Sequence, residues 1–148
     1  MGNRAVITTK DGEEDKKLGV YLHWNGGRDS VTAFLKYCKM KNYRAPETDS
    51  YGWARLCQVI GNFFGGTTSI GIDRACCLDC NNWDNGVYLI EGWEIVGRQY
   101  FEGLEQDSYD LKEMLYEIDE AQPKQEQLGR EEIDKYLNEE HNKPLVEI

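Results

Sequence analysis

The sequence predicts an α+β fold, and three observations carry that prediction. Short apolar runs typical of strands are interspersed with longer stretches of helical periodicity, glycine pairs mark two of the boundaries, and 40% of the 148 residues are hydrophobic. A chain of this length buries roughly 70% of the surface of its unfolded state, so it forms its own core. We expect a small antiparallel sheet packed with two helices, followed by an acidic helical C-terminal extension.

The chain begins with two predicted strands and a helix. Apolar residues predict strands over 4–9 and 18–24, joined by a charged turn at 11–17. Asp29 or Ser30 is expected to cap the helix that follows, because apolar residues then recur at helical spacing. The stripe of this helix consists of Val31, Phe34, Leu35 and Cys38.

A second helix is predicted after the loop that contains Pro46. Asp49 or Ser50 is expected to cap it, and the pair Gly65-Gly66 is expected to end it, since a left-handed C-terminal cap favours glycine. The apolar stripe of this helix consists of Trp53, Leu56, Cys57, Ile60 and Phe64.

Three further strands complete the predicted sheet. Residues 67–72 have the composition of a strand. Strands over 87–90 and 93–96 flank Glu91-Gly92, a dipeptide that favours a two-residue hairpin turn. The order of these elements, strands first and helices between them, is that of an α+β domain.

The charge of the chain is concentrated towards its C-terminus. Residues 1–100 carry 12 basic and 12 acidic residues, whereas residues 101–148 carry 5 basic and 15 acidic residues, which accounts for the net charge of −10. We therefore divide the chain into an α+β ligand-binding body, residues 1–100, and an acidic helical extension, residues 101–148. Thin apolar stripes predict two helices in the extension, which must pack on the body or on another subunit. The stripes contain Leu111, Met114, Leu115 and Ile118, and then Ile133, Tyr136 and Leu137.

Composition also excludes several classes of partner. A chain this acidic is a poor binder of DNA, RNA or anionic membrane surfaces, which need clustered Lys and Arg. No apolar run reaches the roughly 18 residues of a membrane-spanning helix, and no signal-peptide pattern follows Met1. The odd number of cysteines, five, favours a reducing compartment. We expect a cytoplasmic protein.

The segment Asn25–Ser30 is the most informative one for function. A strand ends, two glycines turn the chain and a helix begins at once, so unpaired backbone N–H groups lie at the positive end of that helix. Arg28 adds a guanidinium that binds phosphate through paired hydrogen bonds. Two interpretations remain open: a phosphate site, or a tight turn in which Asp29 or Ser30 caps its own helix.

Other candidate sites are weaker. Cys76, Cys77 and Cys80 contain one C-x-x-C pair, and a structural zinc site needs two more ligands than that, so we predict no metal. Asn81 and Asn85 lie in a polar loop around Trp83, where an amide edge and a stacking face suit a nucleotide, but where an ordinary turn is an equal alternative. No catalytic motif is present, so we predict no catalytic residue, no cofactor and no enzymatic activity.

Four blocks of the sequence are distinctive in combination: residues 2–7, the run GVYLHWNGGRDSVTAFL at 19–35, the run YGWARLCQVIGNFFGG at 51–66, and SIGI at 69–72. Together they resemble the phage anti-Thoeris sponge family, and the resemblance covers residues 2–98. It implies a non-enzymatic phage protein of the infected bacterial cytoplasm that sequesters a cyclic ADP-ribose isomer, the signal of a TIR-domain enzyme, and so inhibits Thoeris immunity. An acidic inhibitor that binds a host enzyme is the alternative.

The resemblance also implies assemblies and pocket residues. Members of the family form homodimers with pockets between subunits, and some form hexamers with a second pocket for the cyclic trinucleotides of CBASS immunity. We expect a homodimer through Trp53, Phe63, Phe64 and Trp93, because these side chains add more apolar area than a small body hides. The ligand-binding residues predicted in this way are Asn25, Gly26, Gly27, Arg28, Asp29, Ser30, Phe63, Phe64, Asn81, Asn85 and Arg98.

Overall fold

The computed structural model describes residues 2–48, 50–105 and 109–141, and within them its strands and helices confirm the α+β class. The strands are β1 (Ala5–Thr9), β2 (Leu18–Leu22), β3 (Ile70–Arg74), β4 (Val87–Glu91) and β5 (Glu94–Gln99). The helices are α1 (Arg28–Met40), α2 (Ser50–Phe63), α3 (Leu111–Glu120) and α4 (Arg130–His141). None of the helices in these ranges has the length and apolar character needed to cross a bilayer.

The five strands form one sheet in the order β3-β2-β1-β4-β5. All neighbours are antiparallel except β1 and β4, which run parallel with Ile7 opposite Tyr88. The expected antiparallel sheet was therefore wrong in this one pair, and the sheet is mixed. A parallel pair needs a long crossover, and the chain supplies one because β2, both body helices and β3 lie between β1 and β4.

The core lies between one face of the sheet and the helices. Ala5 and Ile7 of β1 pack in one apolar cluster with the stripes of α1 and α2. The other face of β1 is also buried, and a short 3-10 helix at Ala75–Cys77 packs against β1 and β2. Because both of its faces are covered, β1 is the central strand of the molecule and positions the loops at the sheet ends.

The ends of the elements differ from the predictions in specific places. Gly65 and Gly66, with φ of 65° and 87°, follow the end of α2 as expected. The β4–β5 turn is Gly92-Trp93, one residue later than predicted, because Glu91 pairs with Glu94. Trp93 accepts a φ of 70° because its ring is then buried and its Nε1 donates to Tyr43 O at 2.9 Å. Asp49, one of the two expected caps of α2, lies outside the described residues.

The acidic extension packs on the body through α3. The predicted stripe of α3 is confirmed, since Met114, Leu115 and Ile118 are buried in the same cluster as α1 and α2. Asp119, also buried, accepts hydrogen bonds from Tyr37 Oη at 2.5 Å and from two backbone N–H groups that precede α4. In this chain residues 111–141 therefore lie on the body itself. The functional division at residue 100 stays a prediction.

Candidate functional site

The turn before α1 is held by the N-terminal strand. Gly26 is buried, its N–H donates to Asn3 O at 2.8 Å, and its carbonyl accepts from Tyr88 Oη at 2.6 Å. A Cβ at position 26 would lie 2.5 Å from Asn3 O and 2.8 Å from Ala5 Cβ. The glycine is therefore required by contact with the chain's own backbone, which fixes the position of the first turn of α1.

The helix begins two residues earlier than a cap at Asp29 would place it, and without a side-chain cap. Gly27 is the N-cap residue and makes no side-chain cap, which corrects the prediction that Asp29 or Ser30 occupies this position. The carbonyl of Gly27 already accepts the first helical bond, from Val31 N at 3.0 Å, so both residues fall inside the first turn. There Asp29 Oδ1 accepts from Ser30 N at 2.7 Å. Asn25, with φ of 54°, donates to Ser30 Oγ at 3.3 Å.

Arg28 lines a cleft of about 220 Å³ between α1 and the start of β5. One wall is a single face of the helix, and the other is the β4–β5 turn with the first residues of β5. Three of the lining side chains are basic and one is acidic. The lining residues are Arg28, Thr32, Leu35, Lys36, Lys39, Trp93, Glu94 and Ile95.

The basic side chains of this cleft differ in their partners. Lys39 Nζ is 2.8 Å from Glu94 Oε1, and that hydrogen bond raises the pKa of Lys39. Lys36 pairs with Glu140 of α4. Arg28 is exposed and makes no hydrogen bond or ion pair to any side chain in the described ranges. Arg28, the basic residue nearest the helix N-terminus, is thus the one cation of the cleft without a side-chain partner in the described ranges.

Asp29 anchors the segment that leads into α3. Its Oδ2 accepts from Tyr109 N at 2.8 Å, while its Oδ1 remains bonded to the first turn of α1. A carboxylate at a helix N-terminus is stabilised by the helix dipole. Asp29 therefore connects α1 to the extension, which is a structural task in addition to the binding task that the sequence predicted for it.

Arg98 belongs to a second group of predicted residues, and its guanidinium lies over the ring of Tyr88. Its guanidinium carbon is 4.0 Å from the Tyr88 ring centroid and 3.9 Å from that of Phe101. Its Nη2 donates to Asn85 O at 2.7 Å, and its Nη1 pairs with Glu105. Burial raises the pKa of Tyr88, and the positive charge of Arg98 opposes this rise. The two Nη groups of Arg98 are therefore committed to the chain's own groups, while its Nε is buried with no hydrogen-bond partner among the described residues.

The remaining predicted residues do not converge on one pocket. Asn85 is buried and donates to Asn3 Oδ1 at 2.6 Å and to Arg4 O at 3.0 Å, so it fixes the N-terminal strand. Phe63 and Phe64 are half-buried, and their rings make edge contacts with Phe34. Asn81 is exposed beside Trp83. The structure thus brings Arg98 and Asn85 together and separates the phenylalanines from them.

Sequence reasoning missed the basic face of α1. Lys36 and Lys39 follow Arg28 at spacings of 8 and 11 residues, which place them on the same helix face. This spacing of basic residues is visible in the sequence alone. Trp93 was assigned to a dimer surface, but its exposure is 5% and that of Trp53 is 9%, so both rings belong mainly to the chain's own core.

The cysteines form no recognisable site. Cys76 and Cys77 are exposed, and Cys80 Sγ donates to Ala75 O at 3.2 Å. In the part of the chain that the structure describes, no three His, Cys, Asp or Glu side chains are arranged to hold a metal ion. No protein-family model, curated protein or solved structure matches the chain. The candidate site therefore depends on its own geometry, and the resemblance to the anti-Thoeris sponges stays an expectation.

Proposed function

We propose that this protein captures a compact phosphate-bearing nucleotide at the N-terminal end of α1 and releases it unchanged. The ligand class we propose is a cyclic ADP-ribose isomer, and the biological role is sequestration of that signal by a phage protein during infection. The observation that carries the proposal is Arg28, an exposed guanidinium beside an uncapped helix N-terminus.

The charge around Arg28 supports an anionic ligand. The chain has a net charge of −10, yet three basic side chains line the cleft beside α1; Lys36 and Lys39 pair with Glu140 and Glu94, so among the described residues the charge of Arg28 is the one without a side-chain partner. A local excess of positive charge in an acidic protein attracts small anions more strongly than the surrounding surface does. At about 220 Å³ the cleft is too small for a nucleic-acid duplex, and against the usual size of ligand pockets it matches part of a compact ligand, such as its phosphates.

The arrangement of donors supports a diphosphate in particular. The planar guanidinium of Arg28 binds two oxygens of a phosphate at once, and the backbone N–H groups of the first turn of α1 face the same end of the helix, where Asp29 already accepts that of Ser30. Gly26 holds this turn rigidly against β1, so little ordering is required when the ligand binds.

The same side chains favour capture over chemical conversion. Among the described residues that line the cleft, Glu94 is the one carboxylate, and it is paired with Lys39. The alternative, an acidic inhibitor of a host protein, is less favoured because Glu126 and Glu140 of the extension pair with Lys41 and Lys36 of α1.

The test is a calorimetric titration with cyclic ADP-ribose isomers made by a TIR-domain enzyme. We expect Arg28→Ala to weaken binding by about 30- to 1,000-fold, because a charge-assisted contact is lost, and Arg28→Lys to restore part of it. Arg74→Ala, an exposed arginine outside the cleft, is the matched control. Wild-type affinity in Arg28→Ala would contradict the phosphate site.

A second measurement separates capture from hydrolysis. After the complex is heated to unfold the protein, chromatography is expected to recover the intact cyclic ligand. Linear ADP-ribose as the main product would show conversion and would overturn the sequestration role. Sedimentation of the protein at micromolar concentration tests the homodimer, which also remains a proposal.

A further inference from the structure

A second cleft, of about 440 Å³, lies away from α1 and is lined by two exposed aromatic side chains. These are Trp83 and Tyr100, with exposures of 87% and 60%. It shares no lining residue with the cleft beside α1. Its lining residues are Asn81, Trp83, Asp84, Tyr100 and Glu102.

Trp83 is held rigidly although its ring is in solvent. Its φ of 64° is unusual for a large side chain and persists because the loop around it is fixed from within. The side chain of Asn82 is fully buried, with Nδ2 donating to Asp79 O at 2.9 Å and Oδ1 accepting from Asp84 N and Gly86 N, both at 3.0 Å. The loop therefore presents an indole ring at a defined position.

Tyr100 belongs to a second loop that packs directly against the loop of Trp83. A Cβ at Gly86 would lie 2.2 Å from Gln99 O and 2.4 Å from Tyr100 O, so the backbones of the two loops are in contact. Tyr100 also has a positive φ, of 54°. The backbone positions that carry Trp83 and Tyr100 are therefore fixed relative to one another before any ligand arrives.

The polar groups of the cleft accept hydrogen bonds and carry negative charge. Asp84 Oδ2 accepts from Arg4 Nε at 2.7 Å. Burial alone would raise the pKa of Asp84, but its hydrogen bonds with Arg4 outweigh this and lower the pKa. Glu102 has an exposed carboxylate and Asn81 an exposed amide. A phosphate is repelled here, whereas a planar ring with N–H donors is favoured.

We propose that this cleft binds a purine base with an exocyclic amino group, stacked on the exposed ring of Trp83. The amino group donates to the carboxylate of Glu102, and the amide of Asn81 contacts the ring edge. Base stacking on an aromatic side chain tolerates any planar ring, so the carboxylates supply the preference for an amino purine. This site is independent of the phosphate site proposed beside α1.

Calorimetry with adenosine and purine riboside tests the proposal, because purine riboside lacks the amino group and keeps the same ring nitrogens. We expect adenosine to bind at least about 10-fold more tightly than purine riboside, and Glu102→Gln to reduce that preference. Trp83→Leu is expected to weaken adenosine binding roughly 5- to 150-fold, while Trp24→Leu, the same change at a partly exposed tryptophan outside the cleft, leaves it unchanged.

The outcomes separate this site from the proposed function and from a protein interface. Arg28→Ala is expected to leave adenosine binding unchanged, so failure at either cleft is visible without the other. Equal binding of adenosine and purine riboside, or no adenosine binding at millimolar concentration, would overturn the proposal. So would a Trp83→Leu variant that changes only the oligomeric state. Melting temperatures of Trp83→Leu and of a second variant, Tyr100→Ala, check that each protein remains folded.

Discussion

The turn at Asn25–Arg28 and the loop at Asn82–Gly86 each hold one exposed side chain at a fixed position, but they use different internal contacts to do so. Each has a non-glycine residue with positive φ and a glycine pressed against neighbouring backbone. In the first, Gly26 and Asn25 make the internal contacts and a charged side chain, Arg28, remains exposed. In the second, the buried amide of Asn82 makes the internal contacts, and the aromatic ring of Trp83 is exposed.

The difference shows how a small domain exposes a functional side chain on a short loop whose backbone is fixed. Most residues of each loop are used to fix the backbone against the N-terminal strand or the β5 end, and one side chain is left over for a ligand. The charge of the surroundings then selects the ligand: lysines beside Arg28, carboxylates beside Trp83. The two loops therefore suit different parts of a nucleotide.

The largest expected effect comes from adding one methyl group at Gly86. Gly86→Ala places a Cβ within 2.4 Å of two carbonyl oxygens at a residue with φ of 65°, and we expect a loss of about 3–5 kcal/mol in the free energy of unfolding. Gly65→Ala is the control, because it has the same φ and no atom within 4 Å. It should cost about 1–2 kcal/mol. If urea unfolding gives the same cost for both variants, backbone strain rather than contact between the loops explains why position 86 requires glycine.

Removing the buried amide of the second loop should have the next largest effect. Asn82→Ala leaves the N–H groups of Asp84 and Gly86 without their acceptor, and we expect a loss of about 2–3 kcal/mol. Asn81→Ala, at the exposed neighbouring residue, should stay within about 0.5 kcal/mol of wild type. If both variants unfold alike, the loop is not fixed by Asn82 and the comparison with Gly26 fails.

Acid should weaken the loop around Trp83 through Asp84. The pKa of Asp84 is lowered in the folded state, so its ion pair with Arg4 contributes stability at pH values above the ordinary carboxyl pKa of about 4. That contribution is lost as the pH falls through the lower, folded pKa. Asp84→Asn is expected to show a smaller loss of stability on acidification than wild type. Parallel pH profiles of the two proteins would exclude this role.

The smallest expected effects on stability come from replacing Arg28 and Trp83, the exposed side chains of the two loops. Arg28→Ala and Trp83→Leu should each change the free energy of unfolding by less than about 0.5 kcal/mol, because both side chains are exposed. Each should nevertheless remove one kind of binding and keep the other. A melting temperature that falls with either substitution would assign that residue to the fold.

The candidate site was only partly predictable from the sequence. Glycines between a strand and a helix predicted the turn at Asn25–Ser30, and the start of α1 there confirms the local geometry. The internal roles of Gly26, Asn85 and Arg98 were not predictable, because each has a hydrogen-bond partner 13 to 82 residues away in the chain. A polar or glycine residue gives the same local signal whether its partner is a ligand or a distant backbone group.

Local chemistry in the sequence determined the α+β class, the apolar stripes of α1 to α3 and the glycine stop after α2, because periodicity and φ preference act within a few residues. The tertiary structure alone decided that β1 and β4 run parallel, since strand pairing depends on which crossover lets both faces of β1 be buried. It also decided that Trp93 turns inward and Trp83 outward. Both have positive φ, and Trp93 finds the carbonyl of Tyr43 and a place in the core, whereas the loop of Trp83 is fixed by Asn82 with the ring in solvent.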